Sequence, residues 1–152
     1  MSIKDKLKKL GITLSDAPKP LGSYASCAQT GNLLFLSGML PLIDGKLTRT
    51  GRVGESVSLA EAQEDARQCA INALSVINTY LGIDKIKKCV KLNGYVASAP
   101  DFIEQPKVLN AASDLLFEIF GDAGRHARAA VGVYVLPLNS PIEIDFIFEI
   151  MP

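Results

Sequence analysis

Two segments of the chain repeat apolar residues at the spacing of an α-helix. The first follows a capping box made by Ser58 and Glu61 and ends near Gly82. In the second, we expect Asp101 to cap the helix and Pro106 to interrupt or restart it. The apolar faces of the two predicted helices consist of Ala62, Ala66, Cys69, Ala73 and Ile77, and of Val108, Leu109, Ala112, Leu115, Leu116 and Ile119.

Four other segments have the apolar runs or the alternation of β-strands. The first, residues 33–39, is entered through Gly31 and Asn32, and the pair Asp44 and Gly45 beyond it signals a turn. In the other three segments apolar residues recur at every second position, as they do in strands with one face on a core. Their repeating positions are Val90, Leu92, Gly94 and Val96, then Ala129, Val131, Val133 and Val135, then Ile142, Ile144, Phe146, Phe148 and Ile150.

Two long helices and at least four strands predict an α+β sandwich in which both helices cover one face of a sheet. Residues 129–135 are apolar on both sides, so we expect another subunit to bury the second face. Residues 1–20 predict a short amphipathic helix and an extended arm marked by Pro18 and Pro20. With 152 residues, 48% of them hydrophobic, and no linker or repeat, we expect one domain over residues 1–152.

Composition argues against several classes of function. The formal net charge is zero, which argues against a general nucleic-acid binder. The sequence has no apolar run that could span a bilayer and no signal peptide, so we expect a cytoplasmic protein without membrane contact. Its three cysteines, Cys27, Cys69 and Cys89, lack metal-type spacing and are interpreted as reduced thiols. We therefore expect no metal site.

Arg128 is the strongest candidate for binding chemistry. It stands at the start of an apolar strand whose neighbouring residues include the small Ala130 and Gly132. A guanidinium matches a carboxylate through two parallel hydrogen bonds, and small neighbours leave room for a ligand, so this pattern favours an anion pocket. The alternative is a solvated surface charge or an ordinary ion-pair partner. Glu143 supplies a carboxylate on the following strand.

The positions of these two residues argue for a site shared between subunits. If their strands are antiparallel, Arg128 and Glu143 lie at opposite ends of the pair. About eight residues at about 3.3 Å each then separate them by roughly 25 Å, too far to serve one small substrate. Arg128 of one subunit and Glu143 of another would form the site, unless a bulge brings the two ends together.

The segment GRHARAAVGVYVLPLNSPIEID, residues 124–145, resembles the C-terminal signature of the reactive-intermediate deaminase family, also called the YjgF or L-PSP family. The resemblance covers nearly the whole chain after Pro20 and includes that family's first hairpin. The matching residues of the hairpin are Tyr24, Gly31, Asn32, Leu36, Ser37, Gly38 and Pro41. The resemblance implies a chorismate-mutase-like fold with a mixed sheet, assembled as a trimer around a barrel of sheets.

The resemblance also implies a reaction, the hydrolysis of 2-imino acids to 2-keto acids and ammonia without metal or organic cofactor. By this resemblance Arg128 would hold the substrate carboxylate as a fork. Glu143 would position or deprotonate the attacking water. Backbone groups near Gly38 and Ala129 would orient the imine. The expected partner of the protein is thus a small carboxylate or imino acid.

Three further residues match the pocket of the family. Tyr24 and Ser37 would complete its polar wall, and Asn110 would support the loop or the neighbouring subunit. Each residue has a structural alternative. Tyr24 could lie at the edge of the core, Ser37 could bond to the backbone, and Asn110 could bond within its own helix.

The chain also departs from the family pattern. Ala130 stands where many members have a cysteine, which excludes thiol chemistry at that position. An N-terminal extension and an insertion at residues 104–107 lengthen the chain. Together with the run of Gly124, Arg125 and His126, these features resemble a longer subgroup of the family. The family fold therefore carries over more safely than the family activity.

A non-catalytic protein that binds or senses a small carboxylate is the main alternative to a deaminase. An endoribonuclease of the acid–base type would need two proton carriers, whereas the only histidine is His126. We interpret His126 as a residue that orders its loop. A chorismate mutase is disfavoured, because one pocket arginine is too little for a dicarboxylate.

Overall fold

A five-stranded sheet and two long helices make up most of the protein, whose computed structural model describes residues 1–17, 20 and 22–152. The helices are α1 (Ile3–Lys9), α2 (Leu59–Tyr80) and α3 (Gln105–Phe120). The strands are β1 (Cys27–Thr30), β2 (Leu33–Leu36), β3 (Leu42–Ile43), β4 (Lys46–Leu47), β5 (Ile86–Ala97), β6 (Ala127–Val133) and β7 (Ile142–Ile150). Strands β3 and β4 form a separate hairpin, and the predicted turn between them is confirmed.

The strand β7 occupies the middle of the main sheet, whose order is β1-β2-β7-β5-β6. Strands β5 and β6 are parallel, whereas the other three neighbouring pairs are antiparallel. The predicted α+β class and mixed sheet are therefore confirmed. Because β5 lies between β6 and β7, the strands that carry Arg128 and Glu143 are not neighbours.

The two long helices form where the apolar periodicity predicts them. Ser58 and Glu61 make the capping box at the start of α2, each side chain accepting a hydrogen bond from the backbone N–H of the other. All eleven predicted apolar positions of α2 and α3 are at most 2% exposed. Gly94 of β5 allows α3 to approach the sheet, because a Cβ there would overlap the side chain of Leu109.

The start of α3 differs from the prediction. Asp101 does not cap the helix, because its first residue is Gln105 and its N-cap residue is Glu104, which makes no side-chain capping bond. Pro106 does not interrupt the helix either. It lies in the first turn, where a backbone N–H has no partner within the helix, so proline fits there without loss. The helix is continuous from this turn to Phe120.

Three strand predictions are also corrected. In β5 the register shifts on either side of Cys89, so Cys89 is buried under the helices and Val90 is not. The first predicted strand stops at Leu36, and the chain returns to β7 at Met39 through an isolated bridge. The strand β6 ends before Val135, which is exposed.

The predicted N-terminal helix is present as α1, which buries Leu7. Pro18, one of the two prolines predicted to mark an extended arm, lies outside the described residues. No helix within the described ranges combines the length and the apolar composition that crossing a membrane requires.

The two faces of the sheet differ in their cover. Both long helices pack on the face that carries the buried residues of β7, as predicted. On the opposite face, Leu33, Phe35 and Val131 are each more than one third exposed. We call this opposite side the open face.

Candidate functional site

Arg128 lies at the edge of the sheet, on the side of the helices. It is the second residue of β6 and stands in register with Leu92, which is fully buried beneath the helices. Its Nη1 atom donates to Asn110 Oδ1 at 2.9 Å and to Ser113 Oγ at 3.2 Å, both on α3. Within the described part of the chain, no carboxylate forms an ion pair with Arg128. The structure thus joins two of the predicted site residues, Arg128 and Asn110.

The serine that contacts Arg128 also contacts the only histidine of the chain. His126 Nε2 lies 2.9 Å from Ser113 Oγ, and Nδ1 lies 2.7 Å from the carbonyl oxygen of Gly124. Burial, helped by the charge of Arg128, lowers the pKa of His126, while the bond to Gly124 opposes this shift. The three residues line a shallow groove of about 380 Å³ between α3 and the segment that leads into β6.

Glu143 lies on the open face, near the first hairpin. It is the second residue of β7 and stands in register with Tyr95 of β5. A Cβ built on Gly38 would lie 2.5 Å from Glu143 Oε1, so the carboxylate rests directly on this glycine. Ser37 Oγ donates to the Ala25 carbonyl at 2.6 Å, which uses its hydrogen and leaves its lone pairs free. Gly38 and Glu143 therefore form a second group, with Ser37 beside Gly38.

The remaining two predicted residues, Ala129 and Tyr24, are both exposed. Ala129 is exposed on the open face, in register with Asn93. Tyr24 precedes Ala25, the residue that accepts the Ser37 hydrogen bond, and it is 61% exposed. An exposed phenol of this kind is available to a ligand or to another subunit rather than to the core of its own chain.

The surroundings of Glu143 make its carboxylate a stronger base than that of an ordinary glutamate. Burial raises the pKa of Glu143, and the nearby charge of Asp145 adds to the shift. The oxygens of Asp145 already accept hydrogen bonds from Asn93 Nδ2 at 2.8 Å and from the Tyr95 hydroxyl at 2.9 Å. Among the described residues no donor contacts Glu143 in the same way. A carboxylate with a raised pKa and free oxygens can act as a general base.

A single chain keeps Arg128 and Glu143 apart. Through the registers with β5, Arg128 aligns with Phe146 and Glu143 aligns with Val131. The two Cα atoms are therefore about 10 Å apart along the strands and about 10 Å apart across them, roughly 14 Å in total. This corrects the predicted 25 Å, which took no account of β5. The two side chains nevertheless point to opposite faces of the sheet, because Leu92 is buried under the helices and Tyr95 is on the open face.

Comparison with known proteins decides the family. A sequence profile described as "YjgF/chorismate mutase-like, putative endoribonuclease" matches residues 4–150. The chain belongs to the YjgF family. Protein TCP17 of Trypanosoma cruzi is 43% identical to it, over 95% of this chain and 91% of that protein. The 2-iminobutanoate/2-iminopropanoate deaminase of Dermatophagoides farinae is 30% identical, over 88% of this chain and 91% of that protein.

A solved structure supports the same family fold. The protein Atu1372 from Agrobacterium tumefaciens, of unknown function, is 47% identical and superposes with a TM-score of 0.91. The alignment covers 98% of this chain and 92% of that chain. The resemblance to the YjgF family that the sequence motifs indicate is therefore confirmed over nearly the full length.

In this YjgF-family chain, sequence reasoning missed Ser113 as a neighbour of Arg128. The signal was present, because Ser113 follows Asn110 by three residues and so shares its side of α3. The sequence indicates a loop-ordering role for His126, but its bond to Ser113 depends on how closely α3 approaches the turn at Gly124. That distance is a property of the packing and not of local spacing.

Proposed function

We propose that this protein hydrolyses 2-imino acids to 2-keto acids and ammonia, without a cofactor, at a site shared by two subunits. One subunit contributes Arg128 and Asn110, and its neighbour contributes Glu143 and Gly38. Ser37, Tyr24 and Ala129 form the remainder of the wall. The observation that carries the proposal is the guanidinium of Arg128, which Asn110 holds and with which no described carboxylate forms an ion pair. The relatives of the chain include a protein named as an imine deaminase.

Arg128 binds the substrate carboxylate. Its Nη1 atom is occupied by Asn110 and Ser113, whereas no described residue accepts a hydrogen bond from Nε or Nη2. The Nε–Nη2 edge of the guanidinium is the fork that matches both oxygens of a carboxylate. Because α3 fixes the other edge, this fork is oriented before the substrate arrives, which reduces the entropy lost on binding.

Glu143 of the neighbouring subunit activates water. It takes a proton from a water molecule while the water oxygen bonds to C2 of the imine and the C=N electron pair moves to nitrogen. The nitrogen gains a proton from solvent, which gives a carbinolamine. Glu143 then returns its proton to the amine nitrogen, the hydroxyl group loses its proton to solvent, and the C–N bond breaks to release ammonia and leave the keto group. The backbone near Gly38 and Ala129 orients the imine.

Thiols take no part in this reaction. All three cysteines are free, and burial raises the pKa of Cys89 to about 12 and that of Cys69 well above its usual value. Burial also raises the pKa of Cys27, so all three thiols stay protonated near neutral pH, and a protonated thiol is a poor nucleophile. Reduced thiols are typical of proteins in the cytoplasm, where we place this activity.

We predict that the purified protein is a trimer in solution. The open face exposes Leu33, Phe35 and Val131, and leaving apolar surface in water costs about 25 cal/mol per Å². Assembly through this face buries that surface and places a second chain against the side of the sheet that carries Glu143. Light scattering measures the mass. A single species with the mass of one chain would exclude the shared site.

The activity is tested by generating 2-aminoacrylate or 2-iminobutyrate in place with a dehydratase that acts on serine or threonine. The release of keto acid is followed with and without this protein, and spontaneous hydrolysis is the baseline. We expect a clear acceleration that depends on protein concentration. If no imino acid reacts faster while a 2-keto acid still binds, the protein is a carboxylate binder, the alternative that the same arginine supports.

A further inference from the structure

A chain of hydrogen bonds runs from the backbone at Gly124 to the guanidinium of Arg128. It passes through His126, whose Nδ1 contacts the Gly124 carbonyl, and through Ser113, whose Oγ lies between His126 Nε2 and Arg128 Nη1. The two links at the histidine are 2.7 and 2.9 Å long, and the link from Ser113 to Arg128 is 3.2 Å. In the proposed reaction Ser113 holds Nη1 of Arg128, and His126 has no role.

The direction of each bond follows from the chemistry of its partners. A carbonyl oxygen can only accept, so the hydrogen on the neutral ring of His126 is at Nδ1 and points to Gly124. Nε2 is then an acceptor, and the hydroxyl hydrogen of Ser113 points to it. The lone pairs of Ser113 Oγ are left to accept from Arg128. The hydrogen bonds therefore all run in defined directions, and every donor in the series has an acceptor.

The neutral state of His126 agrees with its surroundings. Burial and the adjacent charge of Arg128 lower its pKa. Arg125 on the same segment and Asp114 on α3 also line the groove, and Arg125 pairs with Asp122 at 3.1 Å. A neutral histidine thus keeps Nε2 available to Ser113 near neutral pH.

The series of hydrogen bonds begins at a backbone carbonyl, that of Gly124, which is held firmly in place. Gly124 is buried, and a Cβ at this position would overlap the backbone of Leu116 in α3. The turn before β6 therefore packs directly on the helix that carries Asn110 and Ser113. The Gly124 carbonyl is fixed relative to this helix, so it can hold the ring of His126 in one orientation.

From this geometry we propose that His126, acting through Ser113, is a positioning residue that holds the fork of Arg128 towards the substrate carboxylate. The proposal rests on the proposed function, because it assigns Arg128 that role. Asn110 and Ser113 accept from the same Nη1 atom, so two acceptors fix the plane of the guanidinium where one would allow it to turn. Loss of the Ser113 acceptor weakens the binding of carboxylate and leaves the chemical step at Glu143 intact.

Two substitutions of His126 separate this role from the ordering of the loop. In His126→Asn, the side-chain amide can still donate to the Gly124 carbonyl but is too short to reach Ser113. In His126→Gln, the longer amide can accept from Ser113, as Nε2 does. Ser113→Ala is the second test, because it removes the link to Arg128 while leaving the bond between His126 and Gly124 in place.

The readouts are KM and kcat for imine hydrolysis, Kd for 2-oxobutanoate by calorimetry, and the thermal midpoint. We expect His126→Asn and Ser113→Ala to raise KM and Kd about tenfold with kcat within about twofold, the scale of one hydrogen bond to a charged group. His126→Gln should restore most of the affinity.

Wild-type KM and Kd in both His126→Asn and Ser113→Ala would overturn the proposal. Equal losses of affinity in the Asn and Gln variants, in parallel with their thermal midpoints, would also overturn it, because that pattern belongs to loop ordering alone. A wild type that binds 2-oxobutanoate without hydrolysing imines would refute the deaminase. The Kd values of the variants would still decide whether His126 positions Arg128.

Discussion

Replacing Arg128 with lysine should impair the protein nearly as severely as replacing it with alanine. Lysine keeps the charge, but its ammonium cannot present the two parallel donors of the Nε–Nη2 edge, and it cannot bond to Asn110 and a carboxylate in the same geometry. We expect either change to cost about 2 to 5 kcal/mol in carboxylate binding or in transition-state stabilisation. The measurements are Kd for 2-oxobutanoate, kcat/KM for imine hydrolysis and the mass of the assembly.

The chain offers a matched control three residues away. The side chain of Arg125 is exposed, pairs with Asp122 and stacks on the ring of Phe117, so Arg125→Lys should leave affinity and rate near those of the wild type. Arg128→Lys and Arg128→Ala should both keep the fold, because Arg128 makes no ion pair within the described residues. If Arg128→Lys binds 2-oxobutanoate as tightly as the wild type, Arg128 is only a surface charge.

Glu143→Gln should abolish imine hydrolysis and leave carboxylate binding largely unchanged. The amide keeps the shape of the side chain but cannot accept a proton from water, and a general base is typically worth roughly 100- to 10,000-fold in rate.

Wild-type activity should fall as the pH drops through the pKa of Glu143, because a base must be ionised. Burial and Asp145 raise this pKa, so the fall should lie above the usual range of glutamate. A pH profile of kcat/KM measures it.

Glu149 provides the control, since it lies on the same strand and the same face. Lys87 holds its carboxylate at 2.7 Å and lowers its pKa, so Glu149→Gln should not change the rate. Gly38→Ala gives a steric route to the loss expected for Glu143→Gln, because the added methyl would meet the carboxylate. Full activity in Glu143→Gln would show that another group activates the water.

Periodicity predicted the regular elements well because their burial is one-sided. In α2, α3 and β7 every apolar position of the pattern is buried, so local spacing carried the information. The prediction that Asp101 caps α3 was wrong because the helix begins four residues later, at Gln105. A proline is favourable in the first turn that starts there. The prediction that Val90 is buried was wrong because a bulge shifts the register of β5. A bulge is defined by the partner strand, which the local sequence does not reveal.

The site was predicted only in part, for a related reason. The pairing of Arg128 with Asn110 came from family resemblance, since these residues are on different elements and meet through packing. The 25 Å separation was wrong because strand order is a long-range property, and nothing near Arg128 or Glu143 indicates that β5 lies between their strands. The contact between His126 and Ser113 depends on the approach of Gly124 to α3, which is equally non-local.

The central place of β7 has a consequence for how the chain folds during synthesis. Residues 142–150 come last among the strands, yet they join the hairpin of β1 and β2 to the parallel pair of β5 and β6. Until that segment leaves the ribosome, β2 and β5 each present an unpaired edge, and apolar side chains of both helices stay uncovered. A nascent chain is therefore prone to aggregate until the last strand is made. Chaperones that shield exposed strand edges should bind it most strongly just before β7 emerges.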